Sequence, residues 1–120
     1  MNVLVIEDSE DMRFLMSEIL PTTAPIGQLR CAANEADALK AVEGFRPHVV
    51  ILDSCTDGPA PQHTADLMRA LNAGVRVISF SGLPSIEGTW ADVVIRKTHD
   101  GMTQLADALA GLAVELRTAS

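Results

Sequence analysis

Apolar residues in this chain fall into two kinds of block. The first is short and unbroken: NVLVI (2–6) and VVIL (49–52), ending abruptly in Glu7 and Asp8 in one case and Asp53 in the other. A strand with one wet face alternates polar and apolar positions, so unbroken runs of this length predict strands covered on both faces, as in a parallel sheet. VRVISFS (75–81) and DVVIRK (92–97) predict two more strands, and QLRCAA (28–33) a weaker one.

The second kind of block has the helical period. Ser9 caps a helix in which Met12, Leu15, Met16 and Ile19 recur at i, i+3, i+4 and i+7, with Pro21 as its end. Asn34 caps EADALKAVEGF, where Ala36, Leu39, Ala41 and Val42 form the stripe and Gly44 the stop. QHTADLMRALNAG turns Leu67, Met68 and Leu71 inward and closes at Gly74, and MTQLADALAGLAVELR aligns Leu105, Leu109, Leu112 and Leu116. This alternation predicts right-handed crossovers and a doubly wound parallel sheet, with helices on both faces. The exception is GLPSIEGTWA (82–91), where a fourth crossover helix belongs. Two glycines and a proline leave room there for about one helical turn.

At 120 residues, with no repeat, low-complexity tract or linker, the chain predicts a single domain over 1–120. Its 48% apolar content holds only 3% aromatics, so the core is aliphatic. Sixteen acidic against nine basic residues give a formal charge of −7, which repels phosphate backbones and anionic membrane surfaces and argues against direct nucleic-acid binding. No run reaches a bilayer-spanning length, and no basic region precedes the first apolar run, so the expectation is a cytoplasmic protein without membrane contact. Cys31 and Cys55 lack metal-binding spacing and predict reduced thiols; His48, His63 and His99 are scattered, with structural or surface roles expected.

In open parallel sheets, ligands bind outside the carboxyl ends of the strands. Glu7, Asp8, Asp53, Ser81 and Lys97 all stand at such ends. Three converging carboxylates repel one another unless a cation is present or a pKa rises. An oxygen-only set without His or Cys ligands points to a hard ion, Mg²⁺ before Ca²⁺. Singly, each residue has a plainer explanation: Asp53 as a turn residue, Lys97 as a solvated strand end, and Glu7 and Asp8 as part of an acidic first turn. That last reading is preferred for Glu10 and Asp11. Asp57, beside Gly58, reads as a turn residue and Ser79 as a core-facing one.

The acidic pair, the strand-end aspartate 45 residues after Asp8, the hydroxyl followed by a small residue (Ser81–Gly82) and the strand-end Lys97 together resemble the receiver domain of bacterial response regulators. The resemblance spans essentially the whole chain. It implies a five-stranded, flavodoxin-like sheet of order 2-1-3-4-5, with the fourth helix reduced here. Asp53 is then the phosphoacceptor, taking a phosphoryl group from a phosphohistidine on a sensor histidine kinase or histidine phosphotransfer protein. Asp8, Asp53 and the backbone carbonyl of Cys55 hold Mg²⁺, and Glu7 acts through water. Lys97 pairs with Asp53 and then with the phosphate, and Ser81 swings its hydroxyl onto a phosphate oxygen to report the modification. The chain is thus expected to be a signalling protein with weak autophosphatase activity, acting on an unidentified output protein as a monomer or homodimer.

Three departures fall on the output side. Val94 stands where the family carries an aromatic residue, and Thr98 follows Lys97 where the family has a cis proline. A cis bond before Thr98 would cost roughly 3 kcal/mol, so a rearranged or strained turn is expected. The sixteen-residue step from Ser81 to Lys97 is also short for the family. Phe80 and Trp90 are the candidates to replace the missing ring; their plainer roles are core and loop cover. These departures support an alternative, a pseudo-receiver that binds partners without phosphorylation. A phosphatase of haloacid-dehalogenase type also uses a strand-end aspartate, but it needs a second one two residues later, where this chain has Cys55.

Overall fold

The computed structural model describes residues 1–53, 60–82 and 90–118. Five strands and four helices follow one another as β1 (Asn2–Ile6), α1 (Glu10–Thr23), β2 (Gln28–Ala32), α2 (Glu35–Ala41), β3 (Val49–Leu52), α3 (Pro61–Leu71), β4 (Arg76–Ser81), β5 (Val93–Arg96) and α4 (Gly101–Thr118). All strand pairs are parallel, and the order is β2-β1-β3-β4-β5.

Position in the sheet explains the two sequence textures. Every residue of central β3 is buried, whereas edge strands β2 and β5 mix exposed, half-buried and buried positions. Successive residues on a strand point to opposite faces, and this divides the core into two layers. Val3, Val5, Val49, Ile51, Ile78, Phe80 and Ile95 pack under α1 and α4 against Met16, Leu20, Leu105, Leu109 and Leu112. Leu4, Ile6, Val50, Leu52 and Val77 pack under α2 and α3 against Ala38, Ala65 and Met68. Helices therefore cover both faces, which leaves the rim at the carboxyl ends of the strands to carry polar groups.

Several expected details differ. Pro21 lies inside α1 instead of ending it. Its missing N–H affects only the last turn, where the Thr22 and Thr23 hydroxyls donate to the carbonyls of Ile19 (2.7 Å) and Leu20 (3.1 Å). Leu15, Leu39 and Leu71 are 40%, 36% and 53% exposed rather than inward. Ala38 and Ala65, both fully buried, take the contact positions on α2 and α3, because small residues let a helix sit close to the sheet and displace longer side chains to its flanks. Ser9 and Asn34 cap their helices, accepting from the N–H groups of Met12 and Asp37, and Gly44 turns the chain after α2 at φ +72°. Among the described residues no helix separates β4 from β5; residues 83–89 of the expected reduced helix lie outside them, as do Cys55, Asp57 and Gly58.

Candidate metal centre at the carboxyl rim

Three of the rim residues are fixed by the last rung of a ladder. Glu7 N–H donates to the Ala32 carbonyl at 2.9 Å, Asp53 N–H to Ile6 at 3.0 Å, and Lys97 N–H to Ser81 at 2.9 Å. Because all five strands run in parallel, these ends share one edge. Carboxylate oxygens of Glu7, Asp8 and Asp53 come within 4.8 Å of one another. Glu7, Asp53 and Ser81 are buried, while Asp8 is exposed at the opening.

Lys97 lies between the two buried acids, with Nζ 2.5 Å from Glu7 Oε1 and 3.3 Å from Asp53 Oδ2. It also lies 5.7 Å from the centre of the Phe80 ring, within reach of a cation–π attraction. The expected pairing with Asp53 is therefore present, but the shorter contact is to Glu7. Burial, followed by a hydrogen bond and repulsion from Asp53, pushes the Glu7 carboxyl up from 4.5 to about 7 against the opposing pull of Lys97. Burial alone would lower the Lys97 ammonium, but its hydrogen bond to Glu7 and the charge of Asp53 outweigh that and raise it.

One ammonium does not neutralise three carboxylates, and Glu7 Oε2 is buried with no donor facing it among the described residues. An acceptor-only, all-oxygen pocket with surplus negative charge fits a hard divalent ion. Asp8, at the open side, and Asp53, at the floor, face the space where such an ion would sit. The carbonyl of Cys55, the third expected ligand, lies outside the described residues.

The output-side candidates separate. Phe80 is core, 3% exposed. Trp90 is half-buried against the α2–α3 layer, and its carbonyl accepts from Arg69 at 2.7 Å. Val94, which stands where the family carries an aromatic residue, is 48% exposed on edge strand β5. The Lys97–Thr98 bond is trans, so the turn avoids the cost of a cis non-proline bond. The chain turns into α4 through Thr98 N–H to the Arg96 carbonyl (2.9 Å) and Gly101 N–H to the Thr98 carbonyl (3.0 Å).

Two rim neighbours have no counterpart in the sequence reading. Arg13 donates to the carbonyls of Glu7 and Asp8. Gly101 stands where a Cβ would lie 2.7 Å from the Arg96 carbonyl and 3.2 Å from the Phe80 ring. A cation in the first turn of a helix, against the dipole preference, was the available signal for Arg13.

No protein-family model matches the sequence, and no curated protein does. Solved structures do match. The two-component transcriptional regulator AraC of Clostridium phytofermentans ISDg superposes with a TM-score of 0.82 at 19% identity, covering 100% of this chain and 99% of that one. The response regulator TrrA of Thermotoga maritima, in complex with Mg²⁺-BeF, gives 0.73 at 23% identity, covering 90% and 97%. TrrA bound to the histidine kinase ThkA gives 0.71 at 23% identity over the same shares of the two chains. The fold is therefore that of response-regulator receiver domains, the flavodoxin-like sheet of order 2-1-3-4-5.

Proposed function

We propose that this chain is a response-regulator receiver that accepts a phosphoryl group at Asp53 and signals by protein contact. The observation that carries the reading is the convergence of Glu7, Asp8 and Asp53 within 4.8 Å, with the Lys97 ammonium against two of them.

Asp8 and Asp53, with the Cys55 carbonyl, would hold Mg²⁺, with Glu7 reaching it through water. The ion would supply positive charge for the phosphoryl oxygens. An Asp53 carboxylate oxygen attacks phosphorus in line with the phosphorus–nitrogen bond of a phosphohistidine. That bond breaks, the imidazole keeps the electron pair and takes up a proton, and Asp53 becomes an acyl phosphate. Lys97, already beside Asp53, offers its ammonium to the new phosphate. Ser81 ends β4 next to it, and its hydroxyl donates to a phosphate oxygen, drawing with it the segment that follows. Added charge thereby biases a surface element. Slow hydrolysis of the acyl phosphate would reset the switch.

The donor would be a sensor histidine kinase or histidine phosphotransfer protein. TrrA, which shares the fold, has been captured with a histidine kinase. Among the described residues no helix is long and apolar enough to cross a membrane. A pseudo-receiver is the second reading, favoured by the shorter Lys97–Glu7 contact, which divides the ammonium between Asp53 and a second carboxylate. Incubation with acetyl phosphate and Mg²⁺, followed by intact mass measurement, separates the two. The receiver reading requires a gain of one phosphoryl group in the parent and none in Asp53→Asn; no gain with any phosphodonor favours the pseudo-receiver.

A further inference from the structure

Arg13 is a second cation at the rim, and the phosphoryl chemistry above gives it no task. It occupies the first turn of α1, where the helix dipole disfavours positive charge. It is nevertheless half-buried, and its Nη1 donates to the Glu7 carbonyl at 2.8 Å and to the Asp8 carbonyl at 3.1 Å. These carbonyls belong to the two residues that carry the consecutive carboxylates. They lie past the end of the β1 ladder, whose last bonds are Glu7 N–H to Ala32 and Asp53 N–H to Ile6. The guanidinium thus takes over where the ladder stops.

Arg13 is itself anchored, its N–H donating to the Ser9 carbonyl at 3.0 Å and its own carbonyl accepting a weak contact from Cys31 Sγ at 4.0 Å. Among the described residues it forms no ion pair. A guanidinium five residues from Asp8 that grips main chain instead of carboxylate leaves the acids available to a metal ion and fixes the backbone that aims them.

We infer that Arg13 is a positioning residue for the divalent-ion site, setting the Glu7–Asp8 backbone that would aim the Asp8 carboxylate at the ion directly and the Glu7 carboxylate at it through water. The inference rests on the metal reading given under Proposed function. Groups one shell out from a metal typically alter affinity by roughly 10–100-fold when removed. Mg²⁺ demands near-ideal octahedral geometry, whereas Ca²⁺ accepts irregular shells, so a loosened backbone weakens Mg²⁺ more than Ca²⁺; lost charge alone weakens both.

Calorimetric titration of Mg²⁺ and of Ca²⁺ into the parent, Arg13→Met, Arg13→Lys and Arg30→Met tests this. Arg30 makes the same change in net charge away from the rim, where it donates to the Ala41 carbonyl and lies over the Phe45 ring. The expected result is about a tenfold or greater loss of Mg²⁺ affinity in Arg13→Met. A smaller loss for Ca²⁺, parent-like binding in Arg30→Met and partial recovery in Arg13→Lys complete the expectation. Equal losses in Arg13→Met and Arg30→Met, or an unchanged Mg²⁺ to Ca²⁺ ratio, would overturn it. If circular dichroism shows Arg13→Met unfolded, Arg13→Lys decides: reduced Mg²⁺ preference supports the inference and parent-like binding overturns it. Mg²⁺ binding by the parent with unaltered Arg13 variants removes the role of Arg13 alone, whereas no binding by the parent removes the metal reading as well.

Discussion

Lys97 Nζ touches Glu7 Oε1 at 2.5 Å and stands farther, 3.3 Å, from Asp53 Oδ2. The ammonium therefore sits to one side of Asp53 and offsets two buried negative charges that would otherwise repel each other. Removing one member of a buried charge cluster leaves the others without compensation, at a cost on the order of 3 kcal/mol. Lys97→Met should lose about that much stability in urea at pH 8 with EDTA, and Mg²⁺ should restore part of it. A loss below about 0.5 kcal/mol, the size expected of a surface change, would mean the cluster is held by something else.

Glu7 makes the metal-free fold sensitive to pH. With its carboxyl raised from 4.5 to about 7, the folded chain keeps a proton between those values that the unfolded chain has released. Stability from this group is therefore present below pH 4.5 and falls as pH rises toward 7, by an amount on the order of 3 kcal/mol. Asp53, Asp8 and Lys97 are the charged groups around it. Subtracting Glu7→Gln from parent denaturation curves, in EDTA from pH 5 to 8, should reveal that fall. Mg²⁺ binding at pH 6 should release protons, read by calorimetry in buffers of different ionisation enthalpy. A parent-minus-variant difference that is flat with pH contradicts the assignment.

Two glycines of α4 should respond with opposite signs. At Gly101 a methyl group meets the Arg96 carbonyl and the Phe80 ring, whereas at Gly111 it meets open space. Gly101→Ala should destabilise by about 1–3 kcal/mol. It should also slow phosphoryl uptake, because Phe80 precedes Ser81 and lies beneath Lys97. Gly111→Ala should stabilise by about 0.5–1 kcal/mol, the usual gain for an exposed helical position. Melting curves of the two variants provide the comparison.

Much of this architecture was legible in the residues because a covered parallel strand leaves a distinctive trace. Val3–Ile6 and Val49–Leu52 are apolar without interruption since both faces of β1 and β3 meet helices. The rim was legible for the same reason, as parallel strands bring Glu7, Asp8, Asp53, Ser81 and Lys97 to one edge. Helical faces were less readable. Leu15, Leu39 and Leu71 keep the right period, but the shared surface is set by Met16, Ala38 and Met68, and periodicity alone does not choose between adjacent stripes. Arg13 escaped because its partners are main-chain carbonyls, so its one trace was a cation standing against the helix dipole in the first turn of α1.

Locating the phosphoryl group tests the central claim most directly. After incubation with a phosphohistidine donor, peptide-level mass spectrometry should find one phosphoryl group on the peptide containing Asp53, lost in base and on treatment with hydroxylamine as an acyl phosphate is, and should find it with Mg²⁺ but not with EDTA. Uptake at any other residue, or uptake at Asp53 that is indifferent to the divalent ion, would contradict the assignment of this rim as a metal-assisted phosphoacceptor site.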